Sequence, residues 1–404
     1  MQTELPKISV KKGREWHVKR GHPWLFSGAI SQIPKNLSEG SLVKLLDCDG
    51  KFVASGYFNP NCDIAVRVLS RQEGEPIDKA FLAKRIRSAF KLRQSALDFE
   101  ESNVFRLINA EGDFLPGFIV DYYAGQLVIQ CHTAGAENLL AEFVEAIDAE
   151  LQANSIILRN DSSSRLREGL KREEARYLKK GENKEILVKE NGYSFTVDPI
   201  QGQKTGFFTD QRDKRRSLGQ YARQLQGNSR LLNCFSYTCS FSVYAAAVNS
   251  SLRTVNVDQS AAALELGKRN FALNQIDSAN HDFHCTDAFA FLEKQLANKE
   301  KYEIVILDPP AFAKSNKDKS KALKAYSRLA SLGIAACASQ GLLLLCSCSG
   351  AISLDEFCEC IRQSAGNSNR SIQILETFQH GVDHPINLMA PESAYLKVLF
   401  CRVI

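Results

Sequence analysis

No Cys-x-x-Cys pair occurs anywhere in the chain, although it carries twelve cysteines. That absence excludes the paired-thiol spacing of metal and redox sites, and scattered thiols without a secretion signal read as reduced. No apolar run approaches the roughly 20 residues that cross a bilayer as a helix. The opening Met1-Gln2-Thr3-Glu4-Leu5-Pro6 lacks the apolar core of a signal peptide, so the expected compartment is the cytoplasm. A large excess of one charge is lacking as well: 51 Lys and Arg against 46 Asp and Glu leave a net charge of +5, which permits a polyanionic partner without requiring one. Tryptophan occurs twice, as Trp16 and Trp24.

What remains is an ordinary globular composition, 24% charged and 44% hydrophobic over 404 residues, enough for two or three domains with ample core. The most informative stretch is Ile304-Val305-Ile306-Leu307-Asp308-Pro309-Pro310. Four aliphatics in a row predict a strand buried on both faces, and the two prolines end it because neither donates an N–H. A carboxylate at the carboxyl end of such a strand sits where open α/β sheets bind ligands. A second apolar run, Gly341 to Cys346, leads into Ser347-Cys348-Ser349-Gly350. If the two strands are neighbours, Asp308 and Cys348 face each other across a cleft.

Along the chain, residues 7–70 hold short β-branched runs at 8–11, 41–46, 52–58 and 64–69, bounded by Gly, Asp, Asn or Pro. Lys11, Lys12, Arg14, Lys19 and Arg20 alternate there with Trp16, His17, His22, Trp24 and Phe26, a mixture suited to stacking and phosphate contact with RNA. A domain core with a solvated basic rim explains the same residues. The basic segment, Gly21-His22-Pro23-Trp24-Leu25-Phe26 and the strands ending at Leu69 resemble a PUA domain, a pseudo-barrel that binds structured RNA. After a linker from Arg71 to Pro76, an amphipathic helix is expected. Phe81, Leu82, Ile86, Phe90 and Leu92 form its apolar side, opposite Lys84, Arg85, Arg87, Lys91 and Arg93. Residues 104–195 read as an α+β unit with a hairpin turning at Ala124-Gly125, a helix over 136–151 and an exposed charged segment over 171–184. No catalytic constellation is found in it.

From Asp198 onward strands at 230–235, 252–257, 281–285, 303–307 and 341–346 alternate with helices near 239–249, 260–274, 287–297, 321–338 and 354–365, which predicts a doubly wound parallel sheet. Two last strands, 372–377 and 395–400, have no helix between them. A terminal antiparallel hairpin closing a Rossmann-like parallel sheet resembles class I S-adenosylmethionine-dependent methyltransferases. The expected division is residues 1–72 (PUA-like), 73–195 (α+β middle domain) and 196–404 (methyltransferase).

The strand ends supply a donor pocket. Asn233-Cys234-Phe235-Ser236-Tyr237-Thr238 is the first strand and its turn. Asp258 ends the second strand and is placed for both ribose hydroxyls; Asp287 follows the third and is placed for the adenine amine. Each alone could equally cap a helix. Together with Gln203-Lys204-Thr205-Gly206-Phe207-Phe208-Thr209-Asp210-Gln211-Arg212-Asp213, Asp308-Pro309-Pro310-Ala311-Phe312 and Ser347-Cys348-Ser349-Gly350, these motifs resemble the large-subunit ribosomal RNA methyltransferase I family. Those enzymes carry a PUA domain and make 5-methylcytidine in 23S rRNA.

The resemblance covers nearly the whole chain. It implies S-adenosylmethionine as cofactor and 23S rRNA, naked or in an immature large subunit, as partner. It implies no membrane and no metal, and a monomer or a homodimer. It adds Phe207, Asp210, Gln211, Asp308 and Pro309 to Asn233, Phe235, Ser236, Tyr237, Thr238, Asp258 and Asp287 as donor-site residues. Family members carry a glycine pair after Ser-Tyr-Thr, where this chain has Cys239 and Ser240. The donor can still bind there if that turn keeps negative φ, which side chains tolerate.

Cytosine C5 is too weakly nucleophilic to take a methyl group unaided, and a thiolate adding to C6 activates it. Cys348, past its strand, is the candidate nucleophile; Cys346 lies inside the apolar run and reads as a buried small hydrophobe. Asp308 would hold N3 in protonated form. Lysines such as Lys314 would lower the thiol pKa, and Lys314, Lys317, Lys319, Lys321 and Lys324 could contact phosphate. Another RNA 5-methylcytosine family places its release cysteine directly after Asp-x-Pro, where this chain has Ala311. Two other readings stay open: a purine-nitrogen acceptor such as guanine N7, which needs no thiol, and a non-catalytic RNA-binding assembly factor. His281-x-x-His284 and His380-x-x-x-His384 lack partners to complete a four-ligand metal site.

Overall fold

Short β-branched runs closed by turn residues build the first sheet. Its strands are β1 (Lys7–Val10), β2 (Trp24–Phe26), β3 (Ile30–Gln32), β4 (Ser41–Leu46), β5 (Phe52–Phe58) and β6 (Ile64–Ser70), with α1 (Trp16–Lys19) between the first two. They lie in the order β2-β6-β5-β4-β1-β3, around a core that includes Ile8, Val43, Leu45 and Val66. The sheet has two strands more than the sequence pattern predicts, because β2 and β3 are three residues each, too short to show periodicity. The computed structural model describes residues 4–181, 185–313 and 315–404.

The helix α2 (Lys79–Ala96) starts at Asp78, whose carboxylate accepts the Phe81 N–H at 2.9 Å, an N-cap that satisfies one orphan donor. Its buried face is Phe81, Leu82, Ile86, Ala89 and Arg93. The expected assignment of Leu92 and Arg93 is therefore reversed. Leu92 is exposed, and Arg93 is wholly buried in a two-pronged ion pair with Asp113. The reason is spacing: 82, 86, 89 and 93 follow the i, i+4, i+7 stripe, and 92 does not.

The second sheet comprises β7 (Val104–Asn109), β8 (Phe118–Tyr123), β9 (Gln126–Cys131), β10 (Ser155–Leu158) and β11 (Arg176–Lys179), in the order β11-β10-β9-β8-β7. The β8–β9 turn is Ala124-Gly125 as expected, with φ of 48° and 89°, the doubly positive pair of a tight hairpin. The expected helix over 136–151 is two, α3 (Ala134–Asn138) and α4 (Leu140–Leu151). The charged segment holds the edge strand β11; its residues 182–184 fall outside the described ones. Helices α2 and α4 pack on this sheet through Leu82, Ile86, Phe143 and Ile147. Both sheets belong to one compact unit, Met1–Val188 with Val197–Thr209 and Val382–Ser393. Two segments that sequence order places with the last domain thus fold with the first.

A two-stranded ribbon follows, β12 (Ile186–Glu190) and β13 (Tyr193–Val197). The second unit is Lys189–Thr196, Asp210–Gly381 and Ala394–Ile404. It contains α5 (Arg212–Gln224), β14 (Arg230–Cys234), α6 (Ser240–Val248), β15 (Arg253–Asp258), α7 (Ala261–Leu273), β16 (Asp282–Cys285) and α8 (Ala288–Ala297). Then come β17 (Tyr302–Leu307), α9 (Lys319–Ala336), β18 (Cys337–Ser347), α10 (Leu354–Asn367), β19 (Ile372–Phe378) and β20 (Lys397–Val403).

The sheet order is β16-β15-β14-β17-β18-β20-β19. All ladders from β16 to β18 are parallel, and β20 runs antiparallel to both neighbours. This is the doubly wound sheet with the antiparallel closure expected. The aliphatic runs split by residue parity. Leu232, Val305, Leu307, Leu343 and Leu345 face α8, α9 and α10; Leu231, Ile304, Ile306, Leu342 and Leu344 face α5 and α6. No helix among the described residues is long and apolar enough to cross a membrane, and no disulfide joins the cysteines.

Candidate active site

The two strands singled out in the sequence are neighbours. β17 pairs with β18 in parallel, Leu307 level with Leu345, so both chains leave the sheet side by side. Cys348 Sγ then lies 3.7 Å from the carbonyl oxygen of Pro309, and the side chain is half-buried. Cys346 is 1% exposed, and burial first, then the Asp308 charge, pushes its thiol well above the ordinary range. A buried thiol of that kind is inert, whereas the reactive form is an accessible thiolate.

The turn carrying Cys348 is fastened on both sides. Ser349 Oγ accepts the Ala313 N–H at 3.1 Å and shares a hydrogen bond with the Tyr326 hydroxyl at 3.0 Å. The Ser349 carbonyl accepts from Lys397 Nζ at 2.7 Å, and the Tyr395 carbonyl from the same ammonium at 2.8 Å. Lys397 is a residue the sequence reading missed. It is 7% exposed, and burial pushes it down to about 8, opposed by the charges of Cys348 and Glu356. A cation facing the thiol favours the thiolate. Lys314, the lysine expected in that role, lies outside the described residues.

Asp308 is half-buried, and its Oδ2 accepts from Gln211 Nε2 at 2.9 Å. Asp210 accepts from the Tyr395 hydroxyl at 2.7 Å through Oδ2 and from Lys214 Nζ at 2.7 Å through its carbonyl. Both residues immediately precede α5. That helix was not foreseen, because its buried face includes Arg212, Lys214 and Arg215, and hydrophobic periodicity does not register inward-facing cations. Arg215 is held by Glu190 through bonds of 2.8 and 2.7 Å, and the Tyr244 hydroxyl donates to the same carboxylate at 2.9 Å. Phe207, from the same sequence motif, is a buried residue of the first unit.

The turn after β14 departs most from expectation. Phe235, Tyr237 and Cys239 have φ of 61°, 47° and 61°, so Cys239 occupies the left-handed region and the negative φ weighed as a condition for this turn is not kept. Such a residue costs on the order of 1–2 kcal/mol. The geometry is held by neighbours: the Cys239 N–H donates to the Ser236 carbonyl at 2.8 Å, and the Ser236 N–H to Val257 at 3.0 Å. Gly267 on α7 leaves the space that the thiol fills, since a Cβ there would stand 2.6 Å from Cys239 Sγ. The glycine missing from the turn has a counterpart on the facing helix. Gly267→Ala should therefore lower stability by about 1–3 kcal/mol, and Cys239→Gly in the same chain should restore much of it. Denaturant midpoints of the four-member cycle measure the coupling, and additive effects would refute it.

Asp258 accepts the Tyr237 N–H at 2.8 Å and the Ser260 N–H at 2.9 Å, one on each oxygen, which fixes the carboxylate at the strand end. Asp287 caps α8 through Ala290 N–H and accepts from Gln259 Nε2. Asn233 turns its amide to Ser242 Oγ at 3.0 Å, bracing α6. Ser236 and Thr238 are buried beside it in the turn, and Pro309 is buried beyond Asp308. Gln211 Oε1 is buried without a hydrogen-bond partner. A buried acceptor beside Asp308, with an anchored carboxylate at the β15 end, fits a ligand bearing both an ammonium and a diol.

The histidines have structural duties. His281 Nδ1 accepts the Thr254 N–H at 3.0 Å, and His380 Nε2 accepts the N–H groups of Tyr395 and Leu396. Lys319 pairs with Glu356 at 2.6 Å; Lys317, Lys321 and Lys324 are exposed.

Comparison with known proteins agrees with this geometry. The family profile described as a PUA-like domain matches residues 8–71, and that described as S-adenosylmethionine-dependent methyltransferase matches residues 150–400. Ribosomal RNA large subunit methyltransferase I of Yersinia pestis bv. Antiqua is 35% identical over 397 residues, covering 98% of this chain and 99% of its own. A solved S-adenosylmethionine-dependent methyltransferase from Streptococcus mutans is 23% identical, with 98% of this chain and 100% of that one covered at a TM-score of 0.82. A methyltransferase structure complexed with SAH reaches 0.83 at the same identity and coverage.

Proposed function

The chain belongs to the ribosomal RNA large subunit methyltransferase I family, and from that premise we propose that it methylates C5 of a cytidine in 23S rRNA through a covalent Cys348 adduct. One observation carries the reading. A half-buried thiol stands 3.7 Å from the Pro309 carbonyl, on a turn whose next carbonyl, that of Ser349, takes the buried Lys397 ammonium. Transfer to a purine nitrogen needs no such pair.

In this reading the Cys348 thiolate forms a bond to C6 while Asp308 shares its proton with N3, so the ring's electron pair is directed to C5. S-adenosylmethionine, when bound, supplies the electrophilic methyl group that C5 takes. Asp258 and Gln211 would hold the donor. A base then removes the C5 proton, and the electrons return through the ring to expel the Cys348 thiolate. The target base must leave its stack, at a cost of a few kcal/mol, so naked or immature 23S rRNA in the cytoplasm is the preferred substrate.

The test is nucleoside mass spectrometry of undermethylated 23S rRNA incubated with the protein and the donor. 5-Methylcytidine should accumulate, and a methylated purine instead would overturn the reading. In parallel, Asp258→Ala should weaken donor binding in calorimetry by about 1.5–3 kcal/mol. Unchanged affinity removes Asp258 from the donor site.

A further inference from the structure

The first unit contains a cavity of about 390 Å³ that the proposed methyl transfer does not use, a size within the roughly 300–1,000 Å³ of small-ligand sites. It lies between the end of β6 with its following linker and the outer face of α2, and its lining includes Arg71, Gln72, Arg85, Phe114 and Asn387. The two guanidiniums are held in place by backbone. Arg71 donates to the carbonyls of Val18, Gly21 and His22 at 2.9, 2.6 and 2.8 Å, and Arg85 donates to that of Leu69 at 3.3 Å. Neither forms an ion pair with a carboxylate among the described residues. Burial holds both below their ordinary range, and the charge of Arg85 adds to the effect on Arg71.

The two glutamates of the lining have other hydrogen-bond and ion-pair partners, although the charge of Glu75 also acts on Arg85, opposing the effect of burial. Glu111 accepts from Trp24 Nε1 at 2.9 Å, and Glu75 accepts from Ser70 Oγ and pairs with Lys84 at 3.6 Å. Phe114 supplies the remaining chemistry. It is 51% exposed and sits in the left-handed region at φ 58°, a conformation uncommon for a bulky side chain. Its ring and that of Phe81 flank the Arg85 guanidinium, with centroids 5.3 and 5.2 Å away.

We propose that this cavity holds one unstacked nucleotide of a single-stranded RNA segment, with its phosphate against Arg71 and Arg85 and its base on Phe114. Adjacent cations serve a phosphate, an exposed ring serves a base of any identity, and the amides of Gln72 and Asn387 are at hand for a base edge. Elsewhere in the same unit Trp16 is 53% exposed and stacked with Arg20 at 4.4 Å, a second ring of the same chemistry. The inference rests on the reading of the chain as an RNA methyltransferase and assigns part of its RNA grip to a place away from the methyl-transfer residues.

The test uses the full chain with a fluorescent single-stranded fragment of 23S rRNA, comparing wild type with Phe114→Ala, Arg85→Gln and Arg71→Gln. Phe114→Ala should weaken binding about tenfold or more. Each arginine variant should reduce the slope of log affinity against log salt by about one. Methylation should show a raised KM with unchanged kcat, and donor affinity should stay at the wild-type value. Wild-type RNA affinity and salt slope in all three variants would overturn the assignment while leaving the proposed activity intact. A wild-type protein that neither binds nor methylates RNA would overturn both.

Discussion

Cys348→Ala should abolish methylation, by a factor on the order of 10³ or more, and Cys346→Ala should not. The contrast follows from exposure. Cys348 is reachable beside Pro309, whereas Cys346 is sealed among Ile306, Leu344 and Phe400 on the α5–α6 side of the sheet. Truncating Cys346 removes a small buried group, for about 1 kcal/mol of stability. RNA carrying 5-fluorocytidine at the target makes the test direct, because fluorine cannot leave C5 as a proton does and the adduct persists. Denaturing gels should show a shifted protein–RNA band for wild type and Cys346→Ala and none for Cys348→Ala. A band in Cys348→Ala places the nucleophile elsewhere. Full methylation by that variant ends the covalent mechanism.

The second large effect concerns Lys397. Replacing it with Met removes the cation whose charge is coupled to Cys348, so the thiol pKa should rise; one or two units would cut the thiolate at neutral pH about 10–100-fold. The same ammonium braces the carbonyls of Ser349 and Tyr395, and the pH profile separates the two roles. Lost electrostatics moves the acidic limb of the rate to higher pH, whereas a loosened turn only lowers the plateau. Stability offers an independent check. The folded chain holds Lys397 at about 8, while an unfolded lysine titrates near 10.4. Between those values the unfolded chain binds more protons, so stability rises with pH there. The burial penalty is fully present below pH 8. Melting curves from pH 8 to 10 should therefore improve for wild type relative to Lys397→Met, and parallel curves would contradict the buried ammonium.

The sequence was most legible where apolar runs end in chemistry. Ile304 to Leu307 and Leu342 to Cys346 announce central strands, and their ends carry Asp308 and Cys348 to one place. Two things stayed hidden for one physical reason. Cations that point inward carry no hydrophobic signal, so α5, with Arg212 and Arg215 buried, and Lys397 at the head of β20 went unseen. The turn at Cys239 was misjudged because its conformation depends on Gly267, which lies on α7 and is remote in sequence. Arg93 lies on the buried stripe by its spacing, yet passed as solvated because a cation adds nothing to the apolar pattern until a partner such as Asp113 is seen.

Order in the chain and order in the sheet differ here: β20 follows β19 in sequence yet slots between β18 and β19, forming ladders with both. During translation those two earlier strands must wait with open edges, since domains form as chain emerges and long-range pairing comes late. Lys397 arrives with β20. A chain still lacking β20 therefore carries Cys348 without the Lys397 ammonium, and under the proposed mechanism closing the sheet and arming the thiol are one event.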